Sequence, residues 1–485
     1  MSKSLLNELR PLFYPESVAI VGVSAMGDGA GNRFLQILKK FGYGGRIYLV
    51  HPTATEIEGL KAYPSVRDIP GRVDFVNISA PAPHVPQIIA DCVAKGVPAA
   101  EIFTAGFREL SEEGRKLELE IKKIAGGNIR IVGPNCFGVY SPGGGLTLLP
   151  GANYPRESGN VGVIYQSGGW VTDFIWRADA FNMKFSQVVS YGNGIDLNEV
   201  SLLEYFAEDP NTTIVAAYLE GINDGNRFRK IVSSLRGAKP VIIWKGGLSE
   251  SGKRAVNSHT GSLAGDRSVW NAFFKQTGAV QVRGFEELLD TTAIFNYLTP
   301  GNYRNLAFIG GGGGVGVAAS DISEGFNFKI PQSTTEITNE VSKLIPPQGT
   351  SIKNPFDTGS PNTPAQVLER LMQIVAGWTE VDALIINRMF FYGLRELMGE
   401  HLAEEDARVA AVMRAKQRID KPLLVVLEEL AYGSDKIDME RDRRSVRNAL
   451  LKAGIYVTPN VYRALRALNN YSEYWKGAGM KRKAS

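Results

Sequence analysis

Short apolar runs rich in Val, Ile, Leu and Ala alternate with helical-period stretches along most of the chain. That alternation predicts parallel α/β sheets. In residues 1–145 the runs fall at 17–24, 46–50, 73–79, 99–104 and 129–132. After a Pro/Gly-rich connection, a second set falls at 161–165, 187–190, 214–219 and 241–244, within residues 146–300. A third set, at 305–309, 381–386 and 422–427, lies within 301–475, and a basic tail occupies 476–485. Strand, glycine turn, helix recurs at the head of each region.

The first region has a Rossmann-like order, and the other two read as further parallel-sheet domains. Composition narrows the field. The chain has 485 residues, 44% of them hydrophobic and 21% charged, which fits several ordinary globular domains. A net charge of only +4 gives no reason to expect a nucleic-acid or membrane-surface partner. Two cysteines and four histidines cannot build a disulfide framework, and no two histidines stand at metal-ligand spacing. No stretch approaches 18 apolar residues and the N-terminus lacks a signal-peptide core, so a cytoplasmic protein without a membrane span is expected.

Glycine is abundant at 53 residues, and part of it sits where a strand hands over to a helix. A glycine turn opening a helix presents bare N–H groups and the positive end of the helix dipole at one spot, which suits phosphate. Three turns qualify: 22–31, 166–169 and 310–316. The first is not a dinucleotide fingerprint, because after Gly27 and Gly29 the last position is Asn32. The next strand ends in Val50-His51-Pro52, with no acid for a ribose hydroxyl, so a nicotinamide dehydrogenase is disfavoured. The run Gly247-Leu248-Ser249-Glu250-Ser251-Gly252-Lys253-Arg254 has Walker A spacing, yet Arg254 replaces the Mg-binding hydroxyl. No early helical pattern follows it, and a nucleotide site there is disfavoured.

Between the strand ending near Lys245 and a helix that Asp266 would N-cap lie about twenty mostly small and polar residues, expected to form a long functional loop. It holds His259 among Ser258, Thr260, Gly261 and Ser262. A neutral imidazole is a competent nucleophile near neutral pH and can carry a phosphoryl group, although a solvated loop histidine fits the same surroundings. Glu220, at the end of the 214–219 strand, is the carboxylate that could fix its tautomer; alone it would read as a helix-entry or surface residue.

Five motifs in order, Gly133-Pro134-Asn135-Cys136, Tyr165-Gln166-Ser167-Gly168-Gly169, Ser190-Tyr191-Gly192-Asn193, Tyr218-Leu219-Glu220-Gly221 and Ser258-His259-Thr260-Gly261-Ser262-Leu263-Ala264-Gly265, resemble the NDP-forming acyl-CoA synthetases, the superfamily of succinyl-CoA synthetase. The resemblance covers about residues 8–470 and is nearest to the α subunits of the ADP-forming acetate–CoA ligases. It implies a CoA-binding domain followed by two flavodoxin-like ligase domains. It also implies that His259 is the phosphohistidine and Glu220 its partner. Helices opening at Ser167, Gly168 and Gly169 and at Gly311, Gly312, Gly313 and Gly314 would hold the phosphate. CoA contacts would fall on Ser24, Ser79, Ala80, Pro81, Thr104, Ala105, Gly106, Phe107 and Asn135. Asn354-Pro355-Phe356-Asp357 resembles a loop motif of these enzymes. One position departs: Thr53 stands where the family usually has a basic residue for CoA phosphate, and Arg33 or Lys61 is the substitute.

The implied activity joins a carboxylic acid to CoA, with ATP converted to ADP and phosphate through an acyl phosphate. No part of the chain reads as the ATP-grasp module that binds nucleotide in this family, so a separate β subunit carrying Mg²⁺ with ADP or ATP is expected. The assembly would be α₂β₂, or a homodimer in isolation. The competing class is a non-catalytic CoA- or acyl-CoA-binding regulatory protein of the same fold. The acid itself is not declared by any basic pair, and Trp170, near Gly168, reads equally as core or as pocket wall.

Overall fold

The computed structural model describes residues 4–147, 151–260, 265–359, 363–387, 389, 402–429, 433 and 437–480, without the side chains of 257–260 and 402–405. The chain divides into two units, residues 1–179 with 183–285, and residues 180–182 with 286–485.

The first unit holds two sheets. The first contains β1 (Ser17–Val21), β2 (Arg46–Val50), β3 (Glu56–Ile57), β4 (Leu60–Tyr63), β5 (Phe75–Ile78), β6 (Ala99–Ile102) and β7 (Arg130–Val132). Their order is β3-β4-β2-β1-β5-β6-β7. All pairs are parallel except β3 with β4. That hairpin turns through Glu58 (φ 50°) and Gly59 (φ 75°), the two positive-φ positions of a tight twisted turn. The chain runs from β1 to β2 on one side and resumes at β5 on the other, so β1 and β5 flank a switch point where α/β sheets bind ligands.

The second sheet contains β8 (Gly138–Tyr140), β9 (Ser158–Tyr165), β10 (Phe185–Ser190), β11 (Ile214–Leu219), β12 (Val241–Lys245) and β13 (Val280–Val282), in the order β13-β12-β11-β9-β10-β8. Only β8 runs antiparallel to its neighbour. Strands β10 and β11 are buried at every position, as expected where helices cover both faces. One apolar core joins the two sheets, from Val18, Ile20 and Phe34 through to Val215 and Ile243.

In the second unit, β14 (Leu306–Gly310), β15 (Phe356–Asp357), β16 (Ala383–Asn387), β17 (Leu423–Val426) and β18 (Tyr456–Thr458) form a wholly parallel sheet ordered β15-β14-β16-β17-β18. Its core, around Ile309, Leu384, Ile386 and Val425, is separate.

The strands read from long apolar runs are present in each sheet. The short ones, β3, β4, β8, β13, β15 and β18, are two to four residues long, too short to show a period. Asp266 does cap the helix Arg267–Thr277, accepting from the Ser268 N–H. One expectation is overturned. The twenty-residue loop after Lys245 instead contains the helix Glu250–Thr260. Ser249 starts it: its hydroxyl accepts from the Gly252 N–H and its carbonyl from the Lys253 N–H. Glu250 then pairs with Lys253 at i,i+3, and Val256 turns inward. These local polar contacts replace the apolar stripe by which helices are usually recognised.

Candidate functional site

The residues expected to touch CoA lie at or just beyond the C-terminal ends of the parallel strands of the first sheet: Ser24 after β1, Ser79, Ala80 and Pro81 after β5, Thr104, Ala105 and Gly106 after β6, and Asn135 after β7. The backbones there nearly touch. A Cβ on Gly22 (φ 97°) would lie 2.5 Å from the Ser79 carbonyl carbon, so only glycine permits the approach. Asn32, fully buried, occupies the position where a dinucleotide fingerprint ends in glycine. Its Oδ1 accepts from the Ser24 N–H at 2.6 Å, and its Nδ2 donates to the Ser24 carbonyl at 3.1 Å and to Glu58 at 3.0 Å. The missing glycine is thus a clamp on the first turn.

Further along the edge, the Thr104 hydroxyl donates to the Ala80 carbonyl at 2.6 Å, and the Asn135 N–H donates to the Thr104 carbonyl at 2.9 Å. Glu109 accepts from the Gly106 N–H at 2.6 Å, the Phe107 N–H at 3.0 Å and Asn193 Nδ2 at 2.6 Å. Burial acts to raise its carboxyl, but these donors outweigh burial and hold it below the usual carboxylate range. Asn193, from the motif Ser190-Tyr191-Gly192-Asn193, therefore ties the Thr104–Gly106 turn to the second sheet. The thiol of Cys136 is buried, pushed well up by desolvation, and unsuited to act as a nucleophile. Thr53 is exposed, and its N–H donates to His51 Nδ1 at 3.2 Å, so the departing segment is an imidazole-capped turn. Lys61 lies over the Tyr63 ring at 5.1 Å, while Arg33 is exposed.

In the second sheet, Ser167 is the N-cap of the helix Gly168–Ala178 and its side chain makes no capping hydrogen bond. A Cβ on Gly168 would meet the Phe137 ring at 2.7 Å, whereas one on Gly169 would meet nothing within 4 Å. Gly169 is exposed, so the helix start is open.

Glu220, just past β11, is 5% exposed and not the surface residue its position alone suggests. Gln166, which sequence reasoning left aside, is the hub: its Oε1 accepts from the Glu220 N–H at 3.0 Å and the Tyr191 hydroxyl at 3.1 Å. Tyr218 donates to Glu220 Oε1 at 3.2 Å. Lys245, also passed over, donates to the Glu220 carbonyl at 2.8 Å and lies over the Trp270 ring at 5.3 Å. Desolvation draws the Lys245 ammonium down to about 8, against the opposing charge of Glu220. Beneath this cluster Tyr165, Tyr218 and Trp244 share one register across β9, β11 and β12, with ring centroids 5.7 and 4.6 Å apart. His259 falls in the last turns of the helix Glu250–Thr260; its side chain lies outside the described residues, as do residues 261–264. The helix begins at Glu250, before Gly252-Lys253, so that segment cannot wrap a phosphate as a Walker loop does.

The glycine helix of the second unit, Gly313–Gly325, is N-capped by Gly312, whose N–H donates to Asp357 Oδ1 at 2.7 Å. Cavities of about 210 and 660 Å³ adjoin this start, and Asn387 lines both. Asn387 is 2% exposed, and neither its Nδ2 nor its Oδ1 has a hydrogen-bond partner among the described residues. An orphaned buried amide of this kind marks a ligand contact or a strain site. Only a polar residue ending an apolar run, Ile385-Ile386-Asn387, hinted at it in the sequence.

Among the described residues no group of three or more His, Cys, Asp or Glu side chains could hold a metal, and no helix is long and apolar enough to cross a membrane.

Two family descriptions match the chain: CoA binding domain over residues 16–142 and Succinyl-CoA ligase like flavodoxin domain over residues 158–295. The ADP-forming acetate–CoA ligase II subunit alpha of Pyrococcus furiosus is 36% identical over 348 residues, 71% of this chain and 75% of that protein. The ADP-forming acetate–CoA ligase of Methanocaldococcus jannaschii is 38% identical over 358 residues, 74% of this chain and 50% of that protein. The chain thus spans about half the length of that relative and 54% of the Archaeoglobus fulgidus ligase I. Among solved structures, the dinucleotide forming acetyl-coenzyme A synthetase 1 of Ca. Korarchaeum cryptofilum, in complex with phosphate and ADP, superposes with a TM-score of 0.82 at 30% identity, covering 98% of each chain.

Proposed function

Because the chain belongs to the NDP-forming acyl-CoA synthetase family, we propose that it is the α subunit of an ADP-forming acid–CoA ligase. The observation that carries this reading is the pairing, within one unit, of an open helix start at Ser167–Gly169 with the buried, hydrogen-bonded Glu220 beside it. In this reading residues 1–145 bind CoA, 146–300 carry the phosphohistidine, and 301–475 form a second ligase domain. Relatives named as alpha subunits support a separate ATP-grasp β subunit, which would hold the nucleotide with its Mg²⁺ in an α₂β₂ assembly.

The chemistry runs in three reversible steps. An imidazole nitrogen of His259 attacks the γ-phosphorus of ATP; the N–P bond forms and ADP leaves with the bridging oxygen. Glu220 holds the other ring nitrogen's proton and stabilises the positive phosphoimidazole. A carboxylate oxygen of the acid then attacks phosphorus, the N–P bond breaks, and acyl phosphate forms while His259 is restored. The N–H groups at Gly168 and Gly169 face the phosphoryl oxygens and favour their negative charge by about 0.3–1 kcal/mol, more where water is excluded. Finally the CoA thiolate attacks the acyl carbon, forming C–S and breaking C–O, and phosphate departs. Ser24, Ser79–Pro81, Thr104–Gly106 and Asn135 hold the CoA.

The test is phosphoryl transfer. With the nucleotide-binding partner and γ-labelled ATP, acid-labile label should appear on this chain, and His259→Asn should abolish both label and thioester formation. Label that persists in the variant overturns the phosphohistidine assignment. CoA binding without label or turnover in the wild type supports the regulatory alternative instead.

A further inference from the structure

A cavity of about 690 Å³ opens at the start of the helix Gly168–Ala178. Its walls are Ile37, Phe103, Phe137 and Trp170, with Arg33 and Asp173 also contributing. A second cavity of about 370 Å³ shares Phe103, Phe137, Ser167 and Gly169 with it and reaches Ala105 and Asn135 at the ends of β6 and β7. The two volumes meet at the helix N-terminus, where the proposed reaction joins two substrates.

We propose that the larger cavity is the acid pocket and that it takes a carboxylic acid with a bulky apolar body, of the aryl or long alkyl class, in preference to acetate. This rests on the ligase reading above. The cavity is open to solvent, and acetate, with four heavy atoms, would touch only a small part of its wall, whereas a ring or long chain would cover Phe103, Phe137 and Trp170 together. The walls are mostly apolar, with Arg33, Ser167, Thr172 and Asp173 supplying the polar groups. Phe103 and Phe137 stack with centroids 5.9 Å apart, and Gly168 lets the Phe137 ring lie directly on the helix. Trp170 is held from behind by Trp244 at 5.4 Å and Phe285 at 5.2 Å, yet stays 41% exposed. An indole fixed by two rings and still open to a cavity, one turn from an anion-binding helix start, is arranged to cover the body of an acid whose carboxylate sits at Ser167–Gly169. The smaller cavity, bordered by the strand ends expected to hold CoA, is left for the thiol arm. A single methylene in such a pocket changes selectivity about 10- to 200-fold, so the walls can set the acid.

Two measurements test this. In the first, the assembled enzyme is assayed for thioester formation with acetate, isobutyrate and phenylacetate. We expect kcat/KM for phenylacetate to exceed that for acetate at least tenfold, and Trp170→Ala to cut that ratio about tenfold. In the second, phenylacetate is titrated into the chain alone while tryptophan fluorescence is followed. A saturable change that Trp170→Phe abolishes, and that equal acetate does not produce, supports the pocket without requiring turnover. Preference for acetate, or a Trp170→Ala effect confined to KM for CoA, overturns the inference and leaves the ligase reading intact. No thioester from any acid together with no label on His259 overturns the ligase reading itself.

Discussion

Two helices in this chain open on glycine turns that look alike in sequence, and they differ in what stands at their first turn. The helix Gly168–Ala178 starts with Gly169 exposed and the Ser167 side chain making no cap. The helix Gly313–Gly325 starts with a resident anion, since Asp357 accepts from the Gly312 N–H at 2.7 Å and from the Gly359 N–H at 2.8 Å. A carboxylate in that position already complements the helix dipole and opposes a second anion. The lesson is that a glycine turn states only that backbone can approach a ligand. Its occupancy is set by a residue about forty positions away in sequence.

The largest expected effect separates two adjacent glycines. Gly168→Ala places a methyl group 2.7 Å from the Phe137 ring and should destabilise the first unit by about 1–3 kcal/mol through overpacking. Gly169→Ala meets open space and should leave stability unchanged or raise it by up to about 1 kcal/mol. Denaturant titration of both variants decides this; equal losses would erase the distinction between a packed and an open helix start.

Next comes the orphaned amide of Asn387. Replacing it by Leu removes a buried group without a partner among the described residues and should raise stability by about 1 kcal/mol, while weakening the binding of inorganic phosphate several-fold. A loss of stability with phosphate binding intact would show that Asn387 serves packing alone. A smaller effect is expected at Asp357. Asp357→Asn keeps an oxygen for both N–H groups but removes the charge. It should cost a few tenths to about 1 kcal/mol of stability and tighten phosphate binding two- to five-fold in a thermal-shift titration. Unchanged phosphate affinity would mean that the resident charge does not control the second helix.

The last effect is read against pH rather than at one pH, and it lies beside the strand ends of the first sheet, where a buried carboxyl accepts two hydrogen bonds. Glu101, 2% exposed, accepts from Asn77 Nδ2 at 2.6 Å and from the Val139 N–H at 3.1 Å. Desolvation pushes its carboxyl from 4.5 up to about 8. The folded chain therefore keeps a proton that the unfolded chain releases, so this group's contribution is complete below pH 4.5 and declines as pH rises towards 8. Glu101→Gln should flatten that decline in unfolding free energy between pH 5 and 8. The same slope in the variant would assign the pH dependence elsewhere.

Much of the candidate site was proposed from residue order. Glu220 was legible because it follows a strongly apolar strand, and the Ser167–Gly169 turn because glycines follow another. Gln166 and Lys245 were not, since each looks like an ordinary strand-end residue until β9, β11 and β12 are placed side by side. The helix Glu250–Thr260 was misread as a loop because serine capping and an i,i+3 ion pair sustain it without an apolar stripe.

By itself, then, the sequence determined the three strand sets, the glycine-to-helix transitions and the residue types on offer, because hydrophobic period and glycine freedom are local properties. Only the tertiary structure decided that Asn32 clamps the first turn, that Asp357 occupies the second helix start while the first stays open, and that Trp170 faces a cavity. Each of these depends on contact between distant segments, and the burial that gives a polar or aromatic side chain its energetic meaning exists only once those segments pack.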